Sequence, residues 1–152
     1  MKLSEEIIYE KGTKIISVDI DTTISEAIRV MLENKIGAIL VKDGEEFVGI
    51  WTERDLMRNV YQDKLDPETA RIKDHMTKDI ISAPSTDTIF NLMDKFLGKR
   101  LRHLLIEKDG KAIGLLSIGD VIKATLQEKT KELNELKAMV SWDYYEDWKW
   151  GN

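Results

Sequence analysis

Two stretches of the chain set a hydroxyl residue three positions ahead of a carboxylate, each after a glycine-led apolar run. They are Gly49-Ile50-Trp51-Thr52-Glu53-Arg54-Asp55 and Gly114-Leu115-Leu116-Ser117-Ile118-Gly119-Asp120. Where a strand passes into a helix, such a pair has a plain structural use. Thr52 or Ser117 caps the helix by accepting from the amide three residues on, and the Asp reaches back to the cap's own amide. For an isolated S/T-x-x-D motif, capping is the favoured reading. The same geometry suits a nucleotide: a helix start offers unpaired amides and partial positive charge to a phosphate, and the hydroxyl adds a donor. A carboxylate one turn in can accept from both hydroxyls of a ribose. Capping and binding are compatible.

Other chemistry finds less support. The two histidines, His75 and His103, stand 28 positions apart in a chain without cysteine, a poor start for a metal site. His75, in the connector Ile72-Lys73-Asp74-His75-Met76-Thr77, reads as a surface or packing residue, whereas His103 opens a strand near the expected cleft. Neither G-x-x-x-x-G-K-[ST] nor G-x-G-x-x-G occurs. Asp55 and Asp120 as paired catalytic acids are the weaker alternative to ribose binding, and we assign no catalytic residue, no metal and no required cofactor. With 23 Lys+Arg against 28 Asp+Glu the net charge is −5, which argues against nucleic acid as a partner. Lack of cysteine excludes disulfides, and neither a signal peptide nor an apolar run of membrane-spanning length is present, so we expect a cytoplasmic protein without a membrane partner.

The elements that must position these residues are visible as an internal repeat. A step of 65 residues carries Ile15-Ile16-Ser17 onto Ile80-Ile81-Ser82 and Thr23-Ile24 onto Thr88-Ile89. It also carries Ile39-Leu40-Val41 onto Leu104-Leu105-Ile106, Gly49 onto Gly114, Thr52 onto Ser117 and Asp55 onto Asp120. Each copy reads as β-α-β-β-α. A strand (Ile15 to Val18; Ile80 to Ala83) leads to a helical period (Ile24, Ala27, Ile28, Met31, Leu32; Ile89, Leu92, Met93, Phe96). A hairpin follows, turning at Asp43-Gly44 or Asp109-Gly110, and the closing helix starts at Thr52 or Ser117. The last helix is expected to run to about Val140. A unit of roughly 50 residues buries too little surface to stand alone. Two copies packed sheet to sheet with pseudo-two-fold symmetry would solve this and create two related clefts.

The doubled unit with G-h-h-[ST]-x-x-D after its third strand resembles the tandem cystathionine-β-synthase (CBS) domain pair, or Bateman module, of the stand-alone bacterial and archaeal kind. The likeness spans about residues 13–127, with repeats at 13–62 and 76–127 and an extension at 128–152. It implies an α/β fold that binds AMP, ADP, ATP or S-adenosylmethionine and acts as a non-catalytic sensor. Asp55 and Asp120 would hold ribose hydroxyls, and Thr52 and Ser117 would meet phosphate. Ile36 and Ala38, with the start of the equivalent second-copy strand, would flank adenine. Arg102, His103 and Arg54 are the candidate phosphate partners. Gly37-Ala38 stands where the second copy has the basic pair Arg102-His103, so the two clefts should differ. The likeness also implies a homodimer formed through the helices.

The tail Ser141-Trp142-Asp143-Tyr144-Tyr145-Glu146-Asp147-Trp148-Lys149-Trp150 holds three of the four tryptophans. Such rings are expected to pack on the module or on a dimer partner, since each one buried contributes a few kcal/mol. The alternative is a protein-interaction module without ligand, docking through Trp142, Tyr144, Tyr145, Trp148 and Trp150.

Overall fold

Thr23 and Thr88 each accept from the amide three residues on (3.2 Å in both cases) and so start two helices 65 positions apart. Losing either cap would cost about 1 kcal/mol. The same offset relates every later element of the fold. The computed structural model describes residues 1–12 and 14–136. Within them the first copy comprises β1 (Ser17–Asp19), α2 (Ile24–Asn34), β2 (Ala38–Asp43), β3 (Glu46–Thr52) and α3 (Glu53–Asp63). The second comprises β4 (Ser82–Pro84), α4 (Ile89–Lys99), β5 (His103–Lys108), β6 (Lys111–Ser117) and α5 (Ile118–Leu136), and the chain opens with a helix, α1 (Ser4–Lys11).

Each copy forms a three-stranded sheet, β1-β2-β3 or β4-β5-β6. The first pair in each is parallel, which requires a crossover, here α2 or α4. The second pair is an antiparallel hairpin. Even the irregularities are duplicated, since the ladder shifts between Val41 and Lys42 and again between Ile106 and Glu107. The expected α/β fold of two packed β-α-β-β-α repeats is thus the fold found. The leading strands begin two residues later than expected, at Ser17 and Ser82. Ile15, Ile16, Ile80 and Ile81 instead line cavities between the copies. The end of the last helix near Val140 and the aromatic tail lie outside the described residues.

The two cores differ in what completes them. The first gathers Ile24, Ala27, Met31, Ile39, Val41 and Trp51 and is closed by Ile72, Ala70 and Met76 from the connector. Trp51 is wholly buried, and its indole Nε1 donates to Asn59 Oδ1 (2.9 Å), whose amide donates to Asp63. The second core gathers Ile89, Leu92, Phe96, Leu104, Ile106, Leu116 and Val121 and is closed by Ile7 and Ile8 of α1, from the far end of the chain. Ile7 and Ile8 are nearly inaccessible, which stabilises the docked helix by about 1.5–3 kcal/mol each. Ser4 fixes its start, donating through its amide to the Asp87 carbonyl and through its hydroxyl to that of Pro84 (both 2.7 Å).

The connector and α1 therefore do equivalent jobs on equivalent surfaces. Met76 lies over Gly49 and Ile8 over Gly114, so close that a Cβ at either glycine would run into the covering side chain. Residue type at these two positions is dictated by that approach.

Candidate functional site

The first S/T-x-x-D motif folds as a capping box that leaves acceptors to spare. Thr52 N donates to Asp55 Oδ2 (3.0 Å), and Asp55 N donates to Thr52 Oγ1 (3.2 Å). Arg58 approaches the other oxygen of Asp55 at 3.3 Å. A carboxylate has about four lone-pair sites, so this largely buried group retains capacity for a ligand's hydroxyls. The start of α3 is held against β2 by Glu53 N donating to the Gly37 carbonyl (3.0 Å).

Around this helix start lies a cleft of about 380 Å³. From the first copy it takes Gly37, Thr52, Arg54, Asp55 and Arg58; from the connector, Thr77 and Asp79; from the second copy, Arg100, Arg102 and His103. Ile50, Ile81, Leu105 and Leu115 supply apolar wall. Four guanidinium groups thus share with a helix N-terminus and three carboxylates, Glu53, Asp55 and Asp79, a cavity within the usual ligand range. The arrangement can hold a phosphate-bearing group at one end and a polyol at the other, with a flat apolar body between.

Of the residues singled out in the sequence, Thr52, Arg54, Asp55, Arg102 and His103 meet in this cleft, built from the helix start of one copy and the strand start of the other. Ile36 and Ala38 lie instead on the opposite side, in a second and much smaller cavity of about 80 Å³ with Gly114 and Leu115. Ser117 and Asp120 repeat the capping box (Ser117 N to Asp120 Oδ2 2.8 Å; Asp120 N to Ser117 Oγ 3.1 Å). Asp120 lines a third cavity, of about 250 Å³, beside α1. Asp55 and Asp120 therefore belong to separate cavities.

Arg58 and Arg100 were missed in the sequence. Arg58 had a readable signal, since it stands one helical turn beyond Arg54. Arg100 ends α4 in a left-handed conformation (φ 53°) and so turns towards the cleft. Lys11 was also missed. Its Nζ pairs with Asp120 Oδ2 (2.7 Å) and donates to the Leu115 carbonyl (2.9 Å).

Electrostatics follow from these contacts. Burial pushes the His103 imidazole below its ordinary pKa, helped by the cations Lys11 and Arg102 and opposed by Asp120 and Glu53. Burial would push Asp120 up, but the Lys11 ammonium and the Ser117 amide and hydroxyl outweigh it and hold the carboxyl below its ordinary value. His75 faces Asp63 at 3.6 Å, away from the cleft. Among the described residues no three His, Cys, Asp or Glu side chains gather as a metal site would need, and no helix is long and apolar enough to cross a membrane.

The CBS domain model matches residues 9–62 and again 72–127. The mitochondrial CBS domain-containing protein CBSX3 of Arabidopsis thaliana is 32% identical over 129 residues, covering 82% of this chain and 63% of its own length. The crystal structure of a CBS-domain-containing protein from Agrobacterium tumefaciens superposes with a TM-score of 0.77 at 33% identity, covering 82% of this chain and 99% of that one. A CBS domain protein from Pyrobaculum aerophilum, solved in complex with AMP, superposes at 0.71 with 24% identity, covering 86% and 99%. Repeat, register, duplicated capping boxes and these matches agree, and the chain belongs to the CBS domain family, as a tandem pair.

Proposed function

We propose that this chain is a non-catalytic regulatory module that binds an adenosine-containing nucleotide in the 380 Å³ cleft. One observation carries the reading: the Thr52–Asp55 helix start and four arginines share a cavity with an apolar wall. Phosphate, ribose and base each find a complement there. Asp55 would accept from ribose, and Thr52, Arg54, Arg58, Arg100 and Arg102 would surround phosphate. Four guanidinium groups against the three carboxylates Glu53, Asp55 and Asp79 leave the lining net positive, which favours AMP, ADP or ATP over S-adenosylmethionine, whose sulfonium is cationic. The AMP complex of the Pyrobaculum protein supports the ligand class. Binding would act by linkage, shifting the population of module conformations towards the one that binds more tightly. Adenine nucleotides are plentiful in the cytoplasm, where this role would be played.

The test is thermal unfolding of the full chain with AMP, ADP, ATP, S-adenosylmethionine and a GMP control. A ligand at a hundredfold excess over Kd adds about 2.7 kcal/mol, a midpoint rise of roughly 5–10 °C at this size. The reading predicts that rise for an adenine nucleotide and its loss in Asp55→Ala. No shift with any of them would overturn it and favour the ligand-free interaction module.

We infer further that the module is a homodimer joined through its helices. Leu32, Met57, Tyr61, Phe90, Leu97 and Leu126 are large apolar side chains left more than half exposed on α2 to α5. Monomeric proteins seldom leave so much apolar helix surface to water. Light scattering on Tyr61→Glu and Leu126→Glu should show monomers; a monomeric wild type would refute the inference.

A further inference from the structure

The second cleft is built to the same plan as the first, yet it is divided. Lys11 is a wall of both the 80 Å³ cavity with Ile36, Ala38 and Gly114 and the 250 Å³ cavity with Asp120. Its side chain thus lies between the carboxylate and the strand residues that would have to contact one ligand together. Its ammonium is held there by Asp120 Oδ2 and the Leu115 carbonyl, two groups that such a ligand would meet. In the first cleft the equivalent carboxylate, Asp55, faces a single undivided cavity.

The sequence explains how Lys11 reaches this position. Ile8 and Met76 cover equivalent glycines, and Ser17 and Ser82 open equivalent strands. Nine positions separate Ile8 from Ser17, whereas six separate Met76 from Ser82, so the first joint is three residues longer. Within that length α1 runs on for about one turn beyond Ile8, and its end brings Lys11 and Gly12 to the second cleft. Gly12 turns the chain there with φ 111°, a conformation that L side chains rarely adopt.

We propose that Lys11 is a resident substitute for ligand in the second cleft, so that the chain binds one nucleotide and not two. The inference rests on the nucleotide reading above. The Lys11–Asp120 pair is partly exposed (41% and 24% of each side chain), and such pairs hold weakly. The plug is therefore removable by substitution without loss of the fold.

Isothermal titration of the full-length chain with AMP, and separately with ATP, tests this. Wild type should bind one equivalent, Lys11→Ala two, Asp55→Ala none and the double variant Asp55→Ala/Lys11→Ala one. Lys11→Ser, which shortens the side chain but keeps it polar, serves if the alanine variant is unstable, and should also bind two. One equivalent in wild type and in the Lys11 variants would overturn the plug and leave the nucleotide reading standing. Two equivalents in wild type would overturn it likewise. No binding by wild type or by any variant would remove both. Binding by Lys11→Ala alone would sustain the plug and shift the nucleotide reading away from the first cleft.

Discussion

The contact between Ile8 and Gly114 can be weighed by a double-mutant cycle. Ile8 is 1% exposed and belongs to the second core, so Ile8→Ala removes three buried carbons and leaves a void. Changes of that kind cost about 2–5 kcal/mol. Gly114→Ala does the reverse, forcing a methyl against Ile8 Cδ1 and Cγ2. Overpacking of this sort costs about 1–3 kcal/mol, and Ile8 is β-branched, with little rotamer freedom to yield. In the double variant the new methyl enters the space Ile8 vacated. The two penalties should then sum to less than their separate values by about 1–2 kcal/mol, within the range found for contacting residues. Urea unfolding with a constant m-value measures each term, and heat unfolding should move the midpoint by about 2–4 °C per kcal/mol. Additivity to within about 0.5 kcal/mol would mean that Ile8 does not sit on Gly114, and the docking of α1 on the second copy would have to be abandoned. The parallel cycle of Met76→Ala with Gly49→Ala should show weaker coupling, because an unbranched Met can move aside.

Asn59→Ala strips the Trp51 indole of its acceptor in a buried site and should cost about 1–3 kcal/mol in urea unfolding; a change under about 0.5 kcal/mol, as at an ordinary surface position, would refute the bond. The His103 imidazole should titrate below its ordinary 6.5 in an NMR pH series. Because the unfolded chain then binds that proton more readily, stability should fall as pH drops from 6.5 towards the folded value, and His103→Gln should flatten the slope. Asp120, held low, contributes stability above its ordinary 3.8 that is lost as pH falls through its folded value. Lys11→Met should return the Asp120 midpoint upward in a carboxyl NMR titration, and an unmoved midpoint would show that the ion pair is not formed.

The repeat was legible because each of its elements rests on local chemistry that duplication preserved. Thr23 and Thr88 cap, Thr52 and Ser117 cap with an Asp three residues on, and the apolar periods between them fix helix and strand. The first cleft was half legible: Thr52 and Asp55 follow from one motif, but their meeting with Arg102 and His103 depends on how the copies pack, which the family resemblance supplied and the pattern did not. Arg100 escaped notice because its direction comes from a left-handed backbone at the end of α4. Helix α1 left little trace. It has eight residues, too few to hold as a helix alone, and its two inward side chains are adjacent, Ile7 and Ile8, with no period to detect. Its position is a tertiary matter, decided by a glycine more than 100 residues away.

Covalent halves and structural halves do not coincide in this chain. The first copy closes with the connector that follows it, so its core is complete once the ribosome has released residues to about Thr77. The second is closed by Ile7 and Ile8 of α1, a helix synthesised long before it. Until β6 emerges, Ile7 and Ile8 have nothing of their own to cover, and they remain as exposed apolar surface on the nascent chain. Joining them to Gly114 closes a loop of more than 100 residues, with an entropy cost that grows slowly with length but a search time that does not. A split between the two matched segments would accordingly yield unequal fragments. One would carry a spare helix, and the other would present a bare, glycine-floored groove in need of it.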